Sequence, residues 1–233
     1  MSAALESAKL SDYYNKAEID NQVRAGQHRT AIGGNWEPIG QLQSDFLRAR
    51  GLRPEHKLLD IGCGSLRAGV KLVRYLDAGN YFGTDINESL LGAGYEVELA
   101  REGLTDKLPR ANLVTEGDFD FSWCPAVYEF ALAQSVFSHL PLVHLRICLE
   151  RLHRHVALGG SFYATFFEIP EHHPNSEPFR HAGGFTTHGA RDPYHHRFSE
   201  IEFCCRYLPW QAVYIGDWGH PFSQRMIQFI RAA

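Results

Sequence analysis

Short apolar runs alternate with longer amphipathic stretches over most of this chain. Leu58, Leu59 and Ile61 form a run suited to a strand buried on both faces, and comparable runs recur at residues 80–85, 111–115, 127–133 and 159–167. Between them, residues 68–76, 88–102 and 141–156 carry apolar positions at three- and four-residue spacing, which predicts helices. In the last of these, Leu142, Leu145, Leu149, Leu152 and Val156 mark the packed face, while Arg151, His153, Arg154 and His155 read as a solvated basic face. Strand and helix in alternation predict an α/β fold with a mostly parallel sheet.

The flanks read differently. Residues 4–24 have helical character, 26–40 form a glycine-rich loop holding Ile32-Gly33-Gly34-Asn35-Trp36, and 41–49 return to helix, so that 1–50 make an N-terminal helical cap. After Ile169, residues 170–197 hold six of the 13 histidines together with Pro170, Pro174, Pro178, Pro193, Gly183, Gly184 and Gly189. An irregular segment of that length is usually a functional lid or disordered. A helix at 199–208 and strands at 211–216 and 225–231 complete a single expected domain of 233 residues with its core at 57–168 and a C-terminal helix and hairpin at 199–233.

Composition narrows the class. Hydrophobic residues at 44% with charged residues at 21% exclude a disordered chain. A formal net charge of -4 gives no global attraction to nucleic acid or to an anionic membrane, and neither is expected as a partner. The first ten residues lack a basic region followed by an apolar core, and no stretch approaches the ~18 apolar residues of a membrane span, so a cytoplasmic protein is expected. The five cysteines are odd in number and form no Cys-x-x-Cys pair, which suits reduced thiols.

Chemistry concentrates at Asp60-Ile61-Gly62-Cys63-Gly64-Ser65, where a buried strand ends in a glycine turn and a helix follows. Gly62 and Gly64 permit a sharp turn and close approach to a ligand, with Cys63 a small filler between them. Asp85 stands 21 residues after Gly64, at the end of the next apolar run, where a carboxylate can accept from both hydroxyls of a ribose. A dinucleotide fingerprint would need a glycine where Arg67 stands. A P-loop would need Gly-Lys followed by Ser or Thr, whereas Val70, Lys71 and Leu72 follow Gly69. The remaining pattern resembles motif I of the class I S-adenosylmethionine-dependent methyltransferases.

The resemblance continues in order through residues 33–168. Glu116-Gly117-Asp118-Phe119 follows Leu113-Val114, similar to the family's third strand and its adenine contact, and Phe130 to Leu140 resembles the fourth strand and the loop beside the transferring methyl. The resemblance implies a Rossmann-like, doubly wound, mostly parallel seven-stranded sheet with a C-terminal antiparallel hairpin strand. It also implies S-adenosyl-L-methionine as cofactor, held by Asp60, Gly62, Cys63, Gly64, Asp85, Ile86, Asp118, Phe119, Gln134 and Ser135. Arg67 is placed to pair with the cofactor's carboxylate or to stand as a surface arginine. Trp36, beside Gly33-Gly34, suggests a lid folding over the cofactor, and Gln41 poses the same choice between core and contact.

Three histidines are candidate bases for the acceptor: His139 after the fourth strand, and His195 and His196 in the insertion, which is expected to close over the acceptor. A helix N-terminal role for His139 and a locally hydrogen-bonded loop for the others are the plain alternatives. His172, His173, His181, His188, His195 and His196 lack the spacing of a metal pair, so no metal is expected. The loop after the fourth strand lacks the Asn-Pro-Pro-Tyr or Asp-Pro-Pro-Tyr signature that resembles amino-methylating nucleic-acid enzymes, which favours a small-molecule acceptor, an oxygen of a secondary metabolite or sugar. N- or C-methylation of a small molecule or peptide, aminopropyl transfer, a nicotinamide dehydrogenase and a non-catalytic cofactor-binding protein remain alternatives.

Overall fold

A computed structural model describes residues 11–124 and 126–233. The expected N-terminal helix over 4–24 is therefore visible from residue 11: a 3-10 turn at Asp12–Tyr14 leads into α1 (Lys16–Arg24). Residues 4–10 of that expectation lie outside the described residues. The stretch read as a glycine-rich loop instead holds α2 (His28–Ala31) and the start of α3 (Trp36–Ala49). Asn35 in the left-handed conformation (φ 45°) opens α3, and Pro38 sits in its first turn, where no intrahelical donor is lost. Gly33, Gly34 and Pro38 thus punctuate the helix start rather than forbid it.

The core follows as β1 (Leu58–Ile61), α4 (Gly69–Tyr75), β2 (Tyr81–Asp85), α5 (Glu88–Ala93), β3 (Leu113–Thr115), β4 (Tyr128–Ala133), α6 (Leu142–Leu152) and β5 (Val156–Glu168). A π-helical turn, Gly94–Leu99, extends α5. Helix α6 ends three residues short of β5, which runs straight through Gly159 and Gly160 because its pairing with β4 shifts register there. The insertion is less irregular than its composition suggests: β6 (Phe179–Arg180) pairs with β7 (Thr186–Thr187), and β8 (His195–His196) adds in parallel to the end of β5. Helix α7 (Phe198–Cys204) and strands β9 (Trp210–Asp217) and β10 (Gln224–Arg231) close the chain.

The strand order is β3-β2-β1-β4-β5-β10-β9, with β8 beside β5. The pairs among β1 to β5 are parallel, whereas β10 lies antiparallel to both β5 and β9. This is the expected doubly wound sheet with one antiparallel hairpin strand, enlarged by the short β8. Period-2 alternation sends neighbouring side chains to opposite faces, so Leu59 and Phe162 join the core beneath α6 while Leu58 and Tyr163 join the one beneath α3 and α4. Burying each such aliphatic side chain is worth ~1.5–3 kcal/mol. Phe162 and Phe229 stack at 5.6 Å across the β5–β10 pair, and Leu145, Cys148, Leu149 and Leu152 bury the apolar side of α6. The order of strand addition reverses between the parallel strands β1 and β4, which opens a crevice at their carboxyl ends, where ligands bind in doubly wound sheets.

Candidate active site

That crevice is a cavity of roughly 1000 Å³ including its open mouth. Its floor is the glycine turn after β1. Gly62 and Gly64 have φ of 70° and 55°, and a Cβ on Gly64 would lie 2.9 Å from Ile32 Cγ2, so a larger residue would push the cap away. Asp60, Gly62, Cys63, Gly64 and Arg67 come from this turn, Asp85 and Ile86 from the end of β2, Phe119 from beyond β3, and Gln134, Ser135 and His139 from beyond β4. All eleven were expected from sequence, and all line one cavity. Phe119 (φ 58°) and Ser135 (φ 61°) hold left-handed backbone there, a strained state tolerated where the surroundings over-determine it.

The carboxylates are fixed from behind. Asp85 Oδ2 accepts from the Gly64 amide at 2.9 Å and its Oδ1 from the Asn87 amide at 2.9 Å. Burial raises the Asp85 pKa, and these amide bonds pull it back. Asp60 accepts from the Tyr81 hydroxyl at 2.7 Å, and burial pushes its pKa up to about 7. Asp60 is therefore partly protonated in the neutral range.

Arg67 is buried rather than a surface arginine. Its Nη1 donates to the Ile32 carbonyl at 3.2 Å and the Gly34 carbonyl at 2.9 Å, and its Nη2 donates to Gln134 Oε1 at 2.8 Å. Its Nε is buried without a hydrogen-bond partner. Burial lowers its pKa. The Arg67 guanidinium thus lines the cavity with one donor unused.

The roof comes from the N-terminal cap, in residues that the sequence reading missed: Ser11, Tyr13, Tyr14, Ile32 and Gln43. Gln43, not the exposed Gln41, faces the cavity, because Ile39, Gly40, Gln43, Ser44 and Leu47 form the buried side of α3. That four-residue periodicity was available as a signal. The cap is tied to the core by Glu98 on the π-helical turn, which accepts from Arg29 Nε and Nη2 at 2.7 Å each and lies 2.6 Å from His28 Nε2.

Four expected residues do not line the cavity. Trp36 instead packs half-buried against the core beneath α3 and α4, with the Arg29 guanidinium 4.5 Å from its ring, and Ile32 takes the position over the glycine turn. Asp118 is exposed, because Glu116 accepts from the Asp118 and Asp120 amides and curls the loop so that Glu116 and Phe119 face inward. His195 and His196 are buried in β8 instead, with no Nε2 partner on either ring. His195 Nδ1 meets Thr187 Oγ1 at 2.9 Å, and burial lowers the pKa of both, His196 to about 4. No residue of 170–197 lines the cavity, so the insertion is not a cover in this structure. His139 alone of the three candidate bases reaches it, its Nδ1 2.6 Å from Asp192 Oδ1. Among the described residues no three His, Cys, Asp or Glu side chains cluster as metal ligands, and no helix is long and apolar enough to cross a membrane.

No family model matches the sequence. Solved structures do match its fold. The magnesium protoporphyrin IX methyltransferase ChlM of Synechocystis, with bound SAH, has a TM-score of 0.62 at 13% identity, covering 94% of this chain and 100% of that one. The sugar N-methyltransferase KedS8 of a Streptoalloteichus species gives 0.61 at 13% identity, over 100% and 98%. The CcbJ methyltransferase of Streptomyces caelestis gives 0.63 at 14% identity, over 84% and 90%. At such identities the likeness establishes the fold.

Proposed function

We propose that this chain, which has the fold of the class I S-adenosylmethionine-dependent methyltransferases, binds S-adenosyl-L-methionine in the cavity beyond β1, β2 and β4 and transfers its methyl group to a small molecule. The observation that carries this reading is the convergence of Asp60, Arg67 and Asp85 on one cavity, with an unpartnered buried donor on Arg67. Those groups suit the cofactor's three polar ends. The Asp85 carboxylate, held by the Gly64 and Asn87 amides, lines the cavity and can accept from a ribose diol. Arg67 would hold the carboxylate and Asp60 the ammonium, and Phe119 and Ile86 would offer an apolar slot for adenine. The methyltransferase structures that share the fold include one with bound SAH, which supports the same choice.

When bound, the cofactor supplies an activated methyl on a positively charged sulfur. The chain then has to hold an acceptor in line with it and exclude water, and alignment of this kind can be worth an effective ~10⁵ M or more. Tyr13, Tyr14, Gln43 and Leu140 line the same cavity as His139 and would form the walls of the acceptor site. His139 serves as the base that takes the acceptor's proton, worth ~10² to 10⁴-fold for a hydroxyl. An imidazole suits an oxygen acceptor of a sugar or secondary metabolite, since an amine that is already neutral needs no base. Calorimetric titration with S-adenosyl-L-methionine and with NAD tests the cofactor, and a screen with methyl-labelled cofactor tests transfer. Tight binding of NAD with none of S-adenosyl-L-methionine would return the protein to the dehydrogenases; binding with no labelled product on any small acceptor would favour a cofactor-binding protein.

A further inference from the structure

We propose that Asp192, from the insertion at 170–197, is the positioning residue for His139, holding the imidazole Nδ1–H so that Nε2 is the free base toward the cavity. The inference rests on the reading of His139 as the base. Asp192 Oδ1 lies 2.6 Å from His139 Nδ1, and its Oδ2 accepts from the Ser11 hydroxyl at 2.9 Å. Its carboxyl is only 12% exposed, against 25% for the histidine side chain, so the pair is shielded without being sealed. The Tyr13 ring also meets the imidazole edge-on at 4.9 Å. With Nδ1 engaged, Nε2 is the ring nitrogen left for the cavity that His139 lines.

The partners come from three separate parts of the chain: Ser11 and Tyr13 from the cap, His139 from beyond β4, and Asp192 from the insertion. The insertion is held there by backbone bonds, because the Tyr194 amide donates to the Ser138 carbonyl at 2.8 Å and β8 pairs with the end of β5. A segment that lines no part of the cavity thus delivers one carboxylate behind the one histidine that does. During transfer, an acceptor oxygen lone pair forms the O–CH3 bond while the C–S bond breaks and its electron pair passes to sulfur. The acceptor's proton goes to His139 Nε2, and the imidazolium keeps its Nδ1–H on the Asp192 carboxylate. A carboxylate in this place fixes the tautomer and offsets the new charge.

Ring-nitrogen NMR on histidine-labelled protein tests this. The unmutated protein should show His139 as the Nδ1–H tautomer when neutral, with a strongly deshielded Nδ1 proton. Asp192→Ala should return it to the Nε2–H form favoured by free imidazole, while Ser11→Ala, which keeps the carboxylate, should not. With the acceptor found by the labelled-methyl screen, Asp192→Ala should lower turnover ~10-fold or more and leave S-adenosyl-L-methionine affinity within about twofold. A tautomer indifferent to Asp192→Ala overturns the positioning role. A tautomer that switches with turnover unchanged overturns His139 as the base, and with it any part for Asp192 in transfer. Should the variant not fold, an Nε2–H tautomer in the unmutated protein suffices to reject the proposal.

Discussion

The Asp85 carboxylate accepts a hydrogen bond from the Gly64 amide at 2.9 Å, so the acidic residue at the end of β2 holds the glycine turn at the end of β1 before any ligand arrives. Twenty-one residues of sequence separation therefore become one contact across neighbouring parallel strands. The same carboxylate can accept from a diol. Asp85→Ala should remove two charge-assisted ligand bonds worth ~1.5–3 kcal/mol each and weaken S-adenosyl-L-methionine binding at least tenfold by calorimetry. It should also lower the melting temperature, because the Gly64 and Asn87 amides lose their acceptor. Unchanged affinity in the folded variant would remove Asp85 from the cofactor site.

How much of this was legible before folding depends on the range of the interaction. The Asp60-x-Gly-x-Gly turn, the spacing to Asp85 and the apolar run of β4 are local, and eleven expected residues lie around one cavity because strand ends in a parallel sheet gather there. Asp118 went astray because the Glu116 side chain curls that loop onto its own amides, and Trp36 gave way to Ile32, four positions earlier, across the turn that opens α3. The histidines of the insertion are a different case. His195 and His196 read as polar loop residues, yet pairing with β5 buries them, and nothing in their spacing announces a strand of two residues added to a sheet edge. The carboxylate behind His139 stands 53 positions away and had no local signature.

Arg67 should discriminate ligands by their carboxylate. The unmutated protein should bind S-adenosyl-L-methionine at least tenfold more tightly than its decarboxylated analogue, because a buried charge-assisted pair is worth ~1.5–3 kcal/mol. Arg67→Met should erase most of that difference. It should also loosen the cap, whose Ile32 and Gly34 carbonyls lose their donor. Competition binding of the two ligands gives the answer directly, and equal affinity in the unmutated protein would place the methionine end elsewhere. That result would also revive aminopropyl transfer, which uses the decarboxylated cofactor.

Asp60 ties binding to a proton. Its pKa, pushed up to about 7 by burial, leaves it mostly protonated at pH 6 in the free protein. A nearby ammonium and sulfonium favour the carboxylate, so ligand binding at pH 6 should release a proton, and affinity should rise as pH climbs toward 7. Calorimetry in two buffers of different ionisation enthalpy reads the released proton directly. Asp60→Asn should abolish the difference between buffers. Identical heats for the unmutated protein would mean that Asp60 is already ionised or does not face the cationic end.

Acid should open the insertion first. Burial pushes the pKa values of His181, His196 and His220 down to about 4, from an unfolded reference near 6.5. Above pH ~6.5 these rings are neutral in both states and their contribution to stability is complete. As pH falls from there toward 4, the unfolded chain binds protons that the folded chain refuses, so stability declines, and below about 4 the decline ends. Asp60 and Asp85, whose pKa values burial raises, act in the opposite direction over that range, but the three histidines shifted downward outnumber the two carboxyls. Melting temperature should therefore fall between pH 7 and pH 4.5. His181 and His196 both belong to the insertion, where the His181 ring meets Thr187 Oγ1 at 2.8 Å and packs against Phe167 at 4.9 Å. Proteolysis at pH 5 should cut within residues 170–197 before it reaches the core, and His196→Leu should flatten the acid side of the melting curve. A melting temperature constant over that range, or cleavage starting in the core, would show that these rings take up protons without leaving their places.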